Sequence, residues 1–143
     1  MPESVNEIVR RNGYNKLSTD IAVPEKNFKE MFGLYESALG QAKIAHVIFG
    51  HIGECHLHVN LLPKNEEELK KAEEICCGFY KRGVALGGTI SAEHGVGKVR
   101  RKYMELMYGA EGLAQMARVK KALDPNCILG RGNIFPHEYL KEA

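Results

Sequence analysis

The sequence predicts an α+β fold: a ferredoxin-like antiparallel sheet with helices on one face, followed by further C-terminal helices. Three observations predict it. Two strand-like runs, residues 43–49 and 55–62, are separated only by a glycine-containing turn, which reads as a hairpin. Longer stretches with apolar residues at helical spacing flank that hairpin on both sides. The 143 residues, 44% of them apolar, suffice for one domain with its own core.

The elements follow in order. Residues 4–11 place Val5, Ile8 and Val9 on one side of a short helix. Residues 16–23 read as extended and stop at Pro24. From Pro24 to about Leu39, Phe28, Met31, Phe32, Tyr35, Ala38 and Leu39 follow helical spacing, and proline suits a first helical turn. In the hairpin, residues 43–49 are apolar and partly β-branched, and residues 55–62 alternate. Asn65 with Glu68 signals a helix start, Leu69, Ala72, Cys76, Phe79 and Tyr80 form its apolar stripe, and its end is expected near Gly83. Residues 89–92 read as a last short strand, and residues 99–108 and 111–123 as two helices, the second closed by Asp124-Pro125.

Composition excludes several classes. A net charge of +2 is too small to argue for nucleic acid or a membrane surface. The cluster Lys98, Arg100, Arg101, Lys102 reads as a solvated face, without the aromatic residues a nucleic-acid surface would add. No apolar run reaches the length of a membrane span, and Met1-Pro2-Glu3-Ser4 does not open a secretory signal. The four cysteines contain no CxxC pair, and Cys76 and Cys77 are adjacent on a helix, so reduced thiols and a cytoplasmic protein are expected. The segment Gly87–Gly97 is no phosphate loop, because Ala92 and Val99 stand where glycine and Ser or Thr are required.

The chemistry concentrates in two glycine-framed segments, Gly50-His51-Ile52-Gly53-Glu54-Cys55-His56-Leu57-His58 and Gly87-Gly88-Thr89-Ile90-Ser91-Ala92-Glu93-His94-Gly95-Val96-Gly97, which hold four of the six histidines. Alternation along residues 55–62 puts His56, His58 and Asn60 on one face, looking into a cleft or solvent, and Leu57, Val59 and Leu61 on the other, against the helices. His51, in the turn, and His58, on the strand, could converge on one ion, with Glu93 as a carboxylate ligand. Two imidazoles and a carboxylate are a common zinc or iron set. His94 follows Glu93 in what reads as an extended segment. The two side chains should point apart there, which casts His94 as a general base or acid. The plainer readings are a solvated sheet face and a histidine bonded to backbone in a tight loop. His46 and His137 read as structural or exposed.

These two segments, with residues 16–24 (KLSTDIAVP) and 116–135 (MARVKKALDPNCILGRGNIF), resemble the C-terminal cap domain of FAD-linked oxidases of the vanillyl-alcohol oxidase superfamily. The nearest branch is that of glycolate oxidase subunits, D-lactate dehydrogenases and D-2-hydroxyglutarate dehydrogenases. The first family motif runs roughly G-H-x-G-D-G-N-L-H. The resemblance implies that His51, His58 and Glu93 hold a divalent ion, often zinc, which binds the hydroxyl and carboxylate of a small 2-hydroxyacid. It implies that His94 takes the hydroxyl proton while hydride leaves for FAD.

The sequence departs from that pattern at Glu54, Cys55 and His56, where the family has Asp, Gly and Asn; His56 adds a candidate fourth ligand. Gly130-Arg131-Gly132-Asn133 replaces the family's N-P-G-K. The flavin-binding domain, on the order of two hundred residues, is not part of these 143 residues. The expectation is one cap domain over residues 1–143 that is inactive alone and needs an FAD-binding domain or subunit as partner. Self-association through the face that partner would cover is also expected. The alternative is a non-catalytic metal- or ligand-binding module that keeps the cap fold.

Overall fold

In the computed structural model, which describes residues 4–141, the chain divides into two compact units, the first ending at Ala92 and the second beginning at Glu93.

The first unit opens with α1 (Val5–Asn12). Ser4 accepts a hydrogen bond from the Glu7 backbone while the Glu7 carboxylate takes the Ser4 N–H, and Gly13 closes the helix in the left-handed region. The expected extended segment forms two short strands, β1 (Leu17–Ser18) and β2 (Ile21–Ala22). Then come α2 (Glu25–Ala42), β3 (His46–His51), β4 (His56–Leu61) and α3 (Glu66–Ala85). β4 is the central strand: β3 pairs along one side of it, β1 and β2 along the other, all antiparallel. A single bridge between Ala22 and Thr89 takes the place of the short strand expected at residues 89–92. The order Thr89, β1/β2, β4, β3 is that of a ferredoxin-like sheet, in which β4 is inserted between two parallel strands joined by α2.

The helix-facing side of the sheet is apolar. Leu57, Val59 and Leu61 of β4 and Ile21 of β2 are buried with Met31, Tyr35 and Leu39 of α2 and Cys76, Phe79 and Tyr80 of α3. Tyr35 and Phe79 meet edge to face at 4.8 Å between ring centres, joining the two helices. Burial holds the Tyr35 hydroxyl in its protonated form, far above the ordinary range.

Three helix ends differ from expectation. α2 runs on to Ala42 and starts at Glu25, with Pro24 just outside it. α3 passes through Gly83 and ends at Ala85. Gly83 serves packing rather than capping: a Cβ there would lie 2.7 Å from Ile21 Cγ2, so the missing side chain lets α3 settle on β2. Gly88 has the same role further on, since a Cβ there would meet the Ala22 carbonyl oxygen at 2.3 Å.

The second unit contains a 3₁₀ turn (Arg101–Tyr103), α4 (Met104–Leu123) and the short α5 (Glu138–Lys141). The break expected between two helices is a kink at Gly109, which has φ 66°. Met104, Leu113 and Ala117 of α4 and Leu140 of α5 are buried, and Lys121 Nζ donates to the Leu140 carbonyl at 3.1 Å. The Gly95–Gly97 loop is stitched to the Gly130–Ile134 turn by Ile134 N–H to Gly97 carbonyl, 2.9 Å, and by Arg101 to the Gly132 carbonyl, 3.0 Å. Lys98, Arg101 and Lys102 are exposed, as a solvated basic face requires. No helix among the described residues is long and apolar enough to cross a membrane.

Candidate functional site

The site is built on a defect in the β1/β2–β4 ladder. Both short strands keep one register against β4, Leu17 opposite Leu61 and Ala22 opposite His56, which sets Thr19 opposite Val59. The Thr19 N–H donates to the Val59 carbonyl at 3.1 Å, as an antiparallel pair requires. The return bond is different: the Val59 N–H goes to the Thr19 hydroxyl at 3.0 Å. The Thr19 carbonyl is thereby left to face His58 Nδ1 at 3.1 Å. A carbonyl only accepts, so Nδ1 carries the hydrogen and the His58 lone pair sits on Nε2.

Asp20, the next residue, is fully buried. Its Oδ1 lies 2.9 Å from His56 Nε2 and 4.0 Å from His58 Nδ1, and its Oδ2 accepts from the Ser91 hydroxyl at 3.2 Å. The Ala92 N–H donates to the Asp20 backbone carbonyl at 3.1 Å, so the chain leaves the first unit beside Asp20, one peptide bond before Glu93. The His56 and His58 rings meet edge to face at 4.5 Å. One donor atom each from Asp20, His56 and His58 lies within 4.8 Å of the others. Nitrogen and carboxylate donors in that number suit a zinc-like cation, and a histidine anchored through Nδ1–H to a carbonyl is the usual posture of a metal-binding imidazole.

Of the two settings expected for the polar face of β4, a cleft or solvent, burial excludes open solvent. His56, His58 and Asn60 are 3%, 4% and 2% exposed. Asn60 Oδ1 has no hydrogen-bond partner among the described residues. Of the expected ligands, His58 is at the centre of this group. His51 ends β3 opposite His56, exposed, with 6.0 Å between the two ring centres. Glu93 and His94 open the second unit, and both are exposed. Their side chains do not point apart: His94 Nε2 is 3.3 Å from Glu93 Oε1, because the segment bends instead of running extended.

Sequence reasoning missed Thr19, Asp20 and Ser91. Two adjacent polar residues, Thr19-Asp20, inside an otherwise extended run were the available signal. They break the alternation where the ladder is interrupted.

The turn before β4 explains one departure from the family motif. Cys55, where the motif has glycine, stands at φ 52°, and its N–H donates to the Ile52 carbonyl at 3.1 Å. The left-handed turn is therefore kept without its glycine. Gly50, at φ 145°, is required for space: a Cβ there would lie 2.6 Å from the His56 carbonyl oxygen.

Comparison with known proteins gives this geometry a setting. The model of the family described as FAD linked oxidases, C-terminal domain, matches residues 1–134, which reach through both histidine segments and into both units. The chain belongs to this family. Among its relatives, the mitochondrial D-lactate dehydrogenase [cytochrome] of Arabidopsis thaliana is 31% identical over 126 residues, covering 87% of this chain and 22% of the relative. The glycolate oxidase subunit GlcD of Bacillus subtilis is also 31% identical over 126 residues, 87% of this chain and 27% of the relative. A D-2-hydroxyglutarate dehydrogenase of Stutzerimonas stutzeri is 37% identical over 93 residues, 62% of this chain and 20% of the relative. The chain thus spans about a fifth to a quarter of the length of these relatives. As an FAD-linked oxidase C-terminal domain it is the smaller part of the kind of protein it resembles.

Proposed function

We propose that this chain forms the substrate side of an FAD-dependent dehydrogenase for a small 2-hydroxyacid of the glycolate or D-lactate type. His51, His58 and Glu93 are the ligands of a divalent ion, and His94 is the proton acceptor. The reading is carried by His58. It is a motif histidine only 4% exposed and anchored by the Thr19 carbonyl, in a chain whose family match runs through both histidine segments. FAD, held by a partner domain or subunit, supplies the hydride acceptor, and a bound divalent ion supplies charge that acidifies the substrate hydroxyl. The work of this chain is to hold the carboxylate and hydroxyl of the substrate in one orientation and to receive the hydroxyl proton at the His94 imidazole. Without the flavin partner it does not turn over.

Phe49 and Ile52, 50% and 69% exposed at the hairpin end, support a contact with that partner or, in its absence, with a second copy. The cytoplasm is the compartment we assign, supported by the free thiols of Cys55, Cys76, Cys77 and Cys127. A second reading, a non-catalytic metal- or ligand-binding module, is favoured by one observation: His56 stands where the family motif has asparagine.

One experiment separates them. Residues 1–134 replace the matched stretch of the Bacillus subtilis subunit, and the chimera is loaded with FAD. Anaerobic mixing with glycolate or D-lactate should bleach the flavin, and His94→Ala should slow bleaching by about 10²–10⁴-fold with flavin content unchanged. A flavin-loaded chimera that glycolate, D-lactate and D-2-hydroxyglutarate all leave oxidised overturns the dehydrogenase reading in favour of the second.

A further inference from the structure

We propose that Asp20 is a positioning residue of the ion site: it holds the chain entering Glu93 against the strand that carries His58, without binding the ion itself. This rests on the reading that His51, His58 and Glu93 hold a divalent ion. It adds what keeps ligands from separate stretches of chain in register. Asp20 and His56 belong to the same group of donor atoms as His58, all within 4.8 Å, but they spend those atoms on each other.

Asp20 faces both stretches at once. On the strand side its Oδ1 lies 2.9 Å from His56 Nε2. A carboxylate only accepts, so Nε2 carries the hydrogen and offers no lone pair to an ion. His56 in turn stands opposite His51 across the hairpin, with ring centres 6.0 Å apart, and meets His58 edge to face at 4.5 Å. On the other side Asp20 Oδ2 accepts from the Ser91 hydroxyl at 3.2 Å, and the Asp20 carbonyl accepts from the Ala92 N–H at 3.1 Å. The Thr89 N–H donates to the Ala22 carbonyl at 2.9 Å, so residues 89–92 are fastened to the chain around β2 at both ends. With Ala92 fixed, the Glu93 Cα lies about 3.8 Å from a fixed point. Burial makes the tie firm: Asp20 is fully buried, and a carboxylate that loses a donor there has no water to replace it. His56, where the family motif has asparagine, thereby gains a role as the strand-side donor to Asp20.

The test uses the full chain freed of metal and titrated with Co²⁺, with urea unfolding run in parallel to report stability separately. Asp20→Asn keeps the shape but turns one oxygen into an amide, which cannot accept from a second donor. It should weaken cobalt binding by about 10–100-fold and shift the d–d bands. Ser91→Ala, a milder change that removes one bond to Asp20, should weaken binding by about two- to tenfold. In a Glu93→Gln background, Asp20→Asn should cost less than about threefold more, because two residues acting through one contact are not additive. An Asp20→Asn chain that binds cobalt as tightly as the wild type, with the same bands, overturns the proposal and leaves the metal reading standing. The full loss repeated in the Glu93→Gln background also overturns it, since Asp20 would then be a ligand in its own right. If Asp20→Asn does not fold, Ser91→Ala decides, and unchanged cobalt affinity in that variant overturns the proposal. Wild-type protein that binds no cobalt overturns both the proposal and the metal reading.

Discussion

His58 owes its orientation to Thr19, whose carbonyl lies 3.1 Å from His58 Nδ1 because its hydroxyl has taken over the ladder bond from the Val59 N–H. One side-chain hydroxyl thus replaces a backbone acceptor and releases that acceptor for an imidazole.

The substitution Thr19→Val removes the hydroxyl and keeps the shape. Either the Val59 N–H is left buried without an acceptor, or the carbonyl returns to the ladder and abandons His58. Both cost stability, about 1–3 kcal/mol for a buried unsatisfied group, seen as a lower urea midpoint. Thr19→Ser restores the bond and should recover most of the loss. Equal stability of the Val and Thr proteins would show that the hydroxyl bond contributes nothing.

Much of this arrangement was legible in the sequence, and the boundary is physical. Periodicity located α2, α3 and the hairpin because each buries one face. Alternation correctly put His56, His58 and Asn60 on one face, but it carries no information on what covers a face, and this one is buried. Gly83 read as a helix end because glycine is the common stop signal, whereas its reason here is contact with Ile21, 62 residues earlier in the chain. Asp20 escaped notice for the same cause: its partners His56 and Ser91 are 36 and 71 residues away. Local pattern reports what the backbone does nearby, and the site was assembled by contacts at long range.

At Cys55, φ is 52°, a conformation that costs a residue with a Cβ about 1–2 kcal/mol relative to glycine. The backbone is pinned on both sides, by the Cys55 N–H to Ile52 and by the Val23 N–H to the Cys55 carbonyl at 3.3 Å, so a substitution will not relax it. Cys55→Gly should therefore stabilise the chain, by about 0.5–1 kcal/mol once the greater freedom of glycine in the unfolded state is subtracted. A higher urea midpoint at unchanged slope is the expected result. A lower midpoint would mean that the thiol makes contacts worth more than the strain.

Asp124 closes α4 and holds the turn that follows. One oxygen accepts the Ile128 N–H at 3.1 Å; the other accepts the Leu129 N–H at 2.9 Å and pairs with Lys120. The Lys120 hydrogen bond first, and the Leu129 N–H next, hold this carboxyl down to about 2. Because the folded value lies below the unfolded one of about 3.9, the charged form binds its partners better than the protonated form. The resulting stability is complete above about pH 4 and is lost as pH falls through 2. Between those limits wild-type stability should decline more steeply than that of Asp124→Asn, which has no proton to take up. An NMR titration of the carboxyl should give about 2 in the wild type, rising toward the ordinary carboxylate range in Lys120→Gln. A wild-type midpoint near 4 would show that neither Lys120 nor the Leu129 N–H favours the charged form, and the acid sensitivity of this turn would then need another source.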